Sequence, residues 1–351
     1  PAHRKLAEFC ENGAKAFADE ATRHTIDADF FARHSLAELA AQSDQWLNDQ
    51  GRLAQPMLRK PGATHYTPIT WYSAVDLIAR HLNELDNPDE AAFYPSGRTS
   101  NEAAVLWQLF VRCFGTNNMP DCSNMCHESS GTALTEVIGS GKGTVRLSDF
   151  DHADAIFILG QNPGSNHPRM LATLEKAKQR GATIVSVNPL DEVGLKNYRN
   201  PQTVNGLLKG AQLVDLHVPV RINGDVAFLK GLCRAMLEAE AKQPGTVLDK
   251  AFIAKHTQGF AEFVADIKAT SWEQIVVGSG VSEALIREAA AIAIKADNTI
   301  CCWAMGMTQH KNAVANIQEI VNFLLLRGNF GRAGAGASPI RGHSNVPVSY
   351  T

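Results

Sequence analysis

The residues of this chain best suited to chemistry lie in one short run, Asp121-Cys122-Ser123-Asn124-Met125-Cys126-His127-Glu128-Ser129-Ser130-Gly131. It holds two thiols, an imidazole and a carboxylate, followed by small hydroxyl residues and a glycine. Cys126 next to His127 pairs a soft, ionisable sulfur with a proton-transfer group. The run suits a loop entering a helix N-terminus, where free N–H groups and the helix dipole stabilise a thiolate. Two plainer readings compete with that one. A buried free cysteine is usually a small hydrophobe, which is the reading for Cys122. A zinc pair of Cys122 and Cys126 lacks a second CxxC or HxxxH at finger spacing. Spacing alone makes Cys126 a candidate.

Other polar, glycine-containing loops follow apolar runs, the places where open α/β sheets bind ligands. Ser96-Gly97-Arg98-Thr99-Ser100-Asn101-Glu102 precedes an apolar helix and reads either as an anion cradle around Arg98 or as a plain helix cap. Gly160 to Pro168 follows the apolar run 155–159, and Asn188-Pro189 follows 183–187. Arg221-Ile222-Asn223-Gly224-Asp225 follows a strand over 214–220. There Asp225 either accepts a hydrogen bond from a nucleotide or caps its helix. Met305 to His310 follows 299–304. Glycines at 328, 331, 334 and 336 lead to Pro339-Ile340-Arg341-Gly342-His343-Ser344-Asn345, a flexible backbone that suits close approach to a large polar ligand. No GxGxxG stands in the first βαβ unit, so an ordinary NAD fingerprint is absent.

The elements that must position these loops are readable from periodicity. Helical segments are expected over 1–50, then a loop to 70 and a helix over 71–85. A short strand over 91–94 and a buried helix over 102–114 come next. Strands at 155–159, 183–187 and 214–220, and a last strand-and-loop unit over 299–310, alternate with helices at 169–180, 226–240, 283–295 and one running to 326. That alternation makes the fold α/β with doubly wound, mostly parallel sheets.

Composition bounds the rest. The chain has 351 residues, 44% apolar content and a formal net charge of −3. These describe a globular chain of two domains with no polyanion-binding surface, hence no nucleic-acid partner. Seven cysteines without framework spacing fit a reducing compartment, with cytoplasm the default. No apolar run reaches membrane-spanning length. The start at Pro1 and the stop just after the Arg341 motif lead us to expect a fragment of a longer polypeptide.

Taken in order, Gly97-Arg98-Thr99-Ser100-Asn101-Glu102, Gly115-Thr116-Asn117-Asn118, Cys126-His127, Asn162-Pro163 with His167-Pro168, Gly306-Met307-Thr308-Gln309, Gly328-Asn329 and Arg341-Gly342 with Asn345 resemble the molybdopterin oxidoreductases of the dimethyl-sulfoxide-reductase superfamily. The likeness is greatest to the formate dehydrogenase alpha-subunit branch, including its acid-resistance-associated members, and covers residues 51 to 345. The resemblance implies a molybdenum ion, rarely tungsten, held by two molybdopterin guanine dinucleotides. Cys126 matches the protein's own metal ligand, His127 the neighbouring histidine, and Arg341 the arginine near a substrate carboxylate. In that scheme a proton or hydride is taken near Cys126 and His127.

By the same resemblance Arg98, Asn101, Asn162, Asn188, Gly224, Asp225, Gly306, Thr308, Gln309, His310 and His343 line the cofactor. Segment 1–50 would be a remnant next to a cluster domain, 51–121 part of an outer α/β domain, 122–345 the dinucleotide-binding domain, and 346–351 a return to the outer one. The family's 4Fe-4S ligands, of which Cys10 is at most a remnant, and the C-terminal pterin-capping domain are not in this sequence. The resemblance also implies a small-molecule substrate, formate or a similar small anion, and an electron-transfer partner subunit. Met125 and Glu128-Ser129-Ser130 depart from the usual formate dehydrogenase surroundings. An oxo-anion or S-/N-oxide reductase and a non-catalytic nucleotide-binding stress-associated subunit therefore remain as alternatives.

Overall fold

Strands form in this chain where branched and apolar residues run without interruption, because such runs can bury both faces of a parallel sheet. The computed structural model describes residues 11–96, 99–120, 122–200 and 209–342. Its five-stranded sheet comprises β1 (Ala155–Leu159), β2 (Thr183–Val187), β3 (Leu216–Val218), β4 (Thr299–Trp303) and β5 (Gly336–Pro339), in the order β3-β2-β1-β4-β5. Every pairing is parallel. Leu159 stands opposite both Val187 and Trp303, so the central strands end together and their carboxyl ends share one edge. The order reverses between β1 and β4, the switch point of a doubly wound sheet.

Side chains alternate across this sheet and both faces are dry. Phe157, Leu159, Val185, Val187, Cys301 and Trp303 lie in one core cluster, with Phe228, Leu232, Ile317 and Val321. Ile156, Ile158, Ile184, Ile300 and Cys302 lie in the other, with Leu171 and Leu174. The expected α/β class with a parallel sheet is therefore what the chain builds. β3 is shorter than the expected 214–220. Asp215 turns its carboxylate to the Ile184 amide at 2.8 Å and to the Lys178 ammonium, its own amide donates to the Ile184 carbonyl at 2.9 Å, and the register pairs run over Leu216–Val218.

The chain divides into two compact units, Pro1–Tyr94 with Val105–Pro120, and Pro95–Ala104 with Asp121–Thr351. The smaller has two two-residue strand pairs and short helices, among them Ala28–Arg33, where Asp27 accepts the Phe30 amide at 3.0 Å. Helix α1 (Trp71–Asn83) matches expectation. Two other expectations are corrected. Residues 91–94 are not a strand, and the Phe93 amide bonds to the Asn118 carbonyl instead. Helix α2 (Asn101–Phe114) forms, but among its residues only Val111 is buried. Val105, Leu106, Leu109 and Phe110 face outward, because no element among the described residues covers them.

In the larger unit, α3 (Cys122–Ile138), α4 (Pro168–Gln179), α5 (Asp225–Lys242), α6 (Glu283–Lys295), the single turn α7 (Met305–Thr308) and α8 (Ala313–Leu325) flank the sheet. The last expected helix forms as α8, after the single turn α7 in the loop that precedes it. The glycine-rich approach to β5 serves the protein's own packing. A Cβ at Gly334 would lie 2.4 Å from the His152 carbonyl oxygen, and one at Gly336 2.4 Å from Thr144 Oγ1.

At the switch point the parallel ladder continues past the strands, with Gly306 N–H donating to Gly160 O at 3.0 Å. A Cβ on Gly306 would sit 2.5 Å from Gly160 Cα, and Gly160 has φ +56°. Gly306→Ala is therefore expected to force the two loops apart and cost about 1–3 kcal/mol, a fall in Tm of roughly 3–10 °C. Calorimetry showing an unchanged Tm would mean the contact is slack.

Candidate active site

The shared strand edge gathers the polar loops. Gly160, Asn162, Asn188, Glu192, Arg221, Asp225, Met305, Gly306, Gln309 and His310 line one cleft of about 400 Å³ at the carboxyl ends of β1, β2, β3 and β4. Of the residues expected to line a cofactor, the fold thus brings Asn162, Asn188, Asp225, Gly306, Gln309 and His310 together. Glu192, unremarked in the sequence, organises one wall: it accepts from Asn188 Nδ2 at 3.2 Å and from Asn162 Nδ2 at 2.5 Å.

Three expected residues stand elsewhere. Gly224 is turned to the protein, and a Cβ there would lie 2.9 Å from Ser279 Cα and the Arg221 carbonyl oxygen. Thr308 is buried and gives its hydroxyl to the Cys126 carbonyl at 2.6 Å. Asn101 begins α2 and is exposed. Arg98, His343, Asn345 and Cys10 lie outside the described residues.

Cys126 is not in a loop ahead of a helix, as its sequence implied, but inside α3, one residue before a break. His127 has φ −142° and ψ 21°, which interrupts the helical hydrogen bonds there. A break of this kind leaves carbonyls without an intrahelical partner. Thr308 and Gln309 supply it from α7 and the residue after it: Thr308 Oγ1 donates to the Cys126 carbonyl, and Gln309 Nε2 to that of Met125 at 3.2 Å. The thiol itself is buried against the neighbouring thioether, with Cys126 Sγ 3.1 Å from Met305 Sδ. Since Met305 also lines the cleft, the sulfur of Cys126 stands one side chain behind the cleft wall.

On the other side of α3, Arg341 lines a second cavity of about 260 Å³ with Glu128, Thr132, Thr135 and Lys142. Its guanidinium reaches the Gly141 carbonyl at 3.4 Å. His127 is buried, and its Nδ1 and Nε2 lie 3.0 Å from Ser130 Oγ and the Ile340 carbonyl oxygen. Burial, then the positive Arg341 nearby, push its pKa down to about 4, so the imidazole is neutral at physiological pH.

Two polar side chains of the loop after β1 keep buried atoms without a partner. Gln161 and His167 bond each other, Nε2 to Nδ1 at 3.2 Å. Gln161 Oε1 and His167 Nε2 are buried with no partner among the described residues. Gln161 was signalled in the sequence only by its place in the loop after an apolar strand, and His167 also by the His167-Pro168 motif. Asp225 is likewise out of its preferred solvent. Burial raises its pKa to about 6 against the partial opposition of His310. Among the described residues no cluster of three or more His, Cys, Asp or Glu could hold a metal ion, and no helix is long and apolar enough to cross a membrane.

The sequence model of the molybdopterin oxidoreductase family matches residues 52–348. An uncharacterized oxidoreductase of Mycobacterium tuberculosis is 55% identical over 352 residues, which covers 100% of this chain and 45% of that protein. Formate dehydrogenase H of Escherichia coli is 29% identical over 300 residues, covering 84% of this chain and 39% of its own length. Among solved structures, acetylene hydratase from Pelobacter acetylenicus shares the fold, with a TM-score of 0.58 at 18% identity over 78% of this chain and 35% of that one. The chain thus spans about half the length of the curated relatives it matches, or somewhat less.

A carboxylate whose folded pKa is raised binds its proton more tightly in the native state, so stability falls as pH climbs from the unfolded value near 4 to about 6. Asp225→Asn is expected to remove that decline. At pH 7 the variant should be the more stable protein, by about 1–3 kcal/mol. Urea melts of both proteins across pH 4 to 7 check this. Parallel curves would mean that Asp225 carries no penalty.

Proposed function

This chain belongs to the molybdopterin oxidoreductase family, and on that premise we propose that it forms the part of a molybdenum–bis(molybdopterin guanine dinucleotide) oxidoreductase that supplies the metal-binding sulfur and one dinucleotide cleft. The substrate we assign is formate or a similar small anion, oxidised by two electrons. A 4Fe-4S centre, whose ligands are not in this sequence, would serve as the electron acceptor, in a cytoplasmic, reducing setting. The observation that carries this reading is the Cys126 thiol set 3.1 Å behind Met305 in the wall of the strand-edge cleft.

The residues fit the cofactor on three counts. A lone thiolate suits an ion whose remaining ligands come from a cofactor, and a soft sulfur suits molybdenum. Gln161 Oε1 and His167 Nε2 offer buried hydrogen-bonding capacity that no described residue uses. The cleft, lined by Asn162, Asn188, Asp225, Gln309 and His310, offers donors and acceptors at a doubly wound switch point, where dinucleotides bind. When bound, the molybdenum–pterin group supplies the two-electron redox chemistry.

The chain's own residues do the rest. Cys126 holds the ion, and its backbone is kept in place by Thr308 and Gln309. Asp225 accepts from paired N–H donors such as a guanine edge, and the cost of burying it is recovered when that partner arrives. Arg341 binds the substrate anion through charge-assisted bonds. Arg98 and His343 complete the cofactor contacts in this reading.

The test is metal and nucleotide content of the full-length parent, purified anaerobically from a cofactor-competent host, beside Cys126→Ala and Arg341→Lys. Molybdenum with releasable guanine nucleotide is expected in the parent, with an altered molybdenum spectrum in Cys126→Ala. Arg341→Lys should raise KM for formate roughly tenfold or more by losing a bidentate contact. A well-folded parent without molybdenum would sink the proposal.

A further inference from the structure

Each ring nitrogen of His127 has a partner, and the partners dictate where its proton sits. The Ile340 carbonyl oxygen, 3.0 Å from Nε2, can only accept, so Nε2 carries the hydrogen. Ser130 Oγ, 3.0 Å from Nδ1, already receives the Trp303 indole N–H at 2.9 Å. With its one hydrogen on Nε2 the neutral imidazole offers only a lone pair at Nδ1, so the serine hydrogen donates there. One arrangement satisfies every group: Trp303 Nε1–H to Ser130 Oγ, Ser130 O–H to His127 Nδ1, and His127 Nε2–H to Ile340 O. Trp303, Ser130 and His127 are all 0–1% exposed, so no solvent competes for these bonds.

An imidazole held in this way has no lone pair left to take a proton from a substrate. Its Nε2–H instead ends on the residue before Arg341, whose own amide bonds to the Trp303 carbonyl at 2.9 Å. We propose that His127 is a positioning residue that fastens the Ile340–Arg341 segment to the Cys126 helix, with Ser130 and Trp303 setting its tautomer. The inference rests on the proposed function for Arg341 as the anion-binding group. It narrows the expectation that a proton or hydride is taken near the Cys126–His127 pair, by excluding the imidazole as the group that takes it.

Glutamine separates the two roles. Its amide can donate to Ile340 O and accept from Ser130, but it cannot act as a base at neutral pH. In the full-length holoenzyme, His127→Gln should keep kcat for formate within about tenfold, whereas a lost general base costs roughly 10²–10⁴. His127→Ala and Ser130→Ala should chiefly raise KM, because Arg341 is then loosely held. A kcat collapse in His127→Gln with unchanged KM would overturn the proposal.

A readout independent of turnover is the ¹⁵N spectrum of the full-length protein labelled at histidine, with His127 assigned by its absence in His127→Gln. The Nε2–H tautomer is expected, with Ser130→Ala shifting it. A hydrogen on Nδ1 in the wild type would overturn the proposal outright. The expected tautomer in a protein that neither binds nor oxidises formate would leave the His127 network standing and sink the formate reading.

Discussion

The backbone contact between Gly160 and Gly306 is the constraint on which the rest of the site depends. β1 and β4 are the strands either side of the switch point, and their loops must part there to open a crevice. Here they cross first, held by one further ladder bond beyond the strands, with no side chain between them. The crossing sends the chain straight into the single turn Met305–Thr308. That turn reaches back to α3, where Thr308 and Gln309 take the carbonyls freed by the break at His127. Met305 is thereby set against the Cys126 sulfur. Bulk at either glycine would displace the turn, the clamp and the thioether together.

Two buried carboxylates of the same unit show how the protein separates structure from site. Glu240 is satisfied on all sides: Lys250, 2.7 Å away, and the amides of Gly245, Val247 and Leu248 hold its pKa down to about 2. Asp225 is buried as well, and there burial is the larger effect, lifting its pKa to about 6 against the opposing pull of His310. Gln161 and His167 repeat the pattern with neutral groups. Unanswered polar atoms at a strand edge cost stability, and a protein retains such a cost where a ligand removes it. Around Cys126 the economy is reversed. His127, Ser130 and Trp303 are fully paired, which makes that side of the site rigid before anything binds.

The strands and most helices were legible because their signals are local. An unbroken run such as Ala155–Leu159 has one low-cost home, the middle of a parallel sheet, and the helices between such runs follow by connection rules. The gathering of the strand-end loops was legible for the same reason, since topology sends them all to one edge. The apparent strand over 91–94 failed because its apolar residues found a loop partner at Asn118 instead of a ladder. The expected burial of α2 failed because a helix's apolar face says only that it can be covered, not that it is.

Sequence by itself determined the α/β class, the positions of the central strands, the candidate thiol and the polar loops that follow those strands. Tertiary structure alone decided what each of those residues faces. It turned Gly224 to Ser279, spent Thr308 on a backbone carbonyl, and brought forward Glu192, Gln161 and His167, whose residue types are ordinary. It also fixed the proton on His127, since the deciding partners, Ile340 and Trp303, lie 213 and 176 residues along the chain. Periodicity carries the identity of an element and the side it buries. Hydrogen-bond partners across such distances depend on registers and crossings that no local pattern encodes.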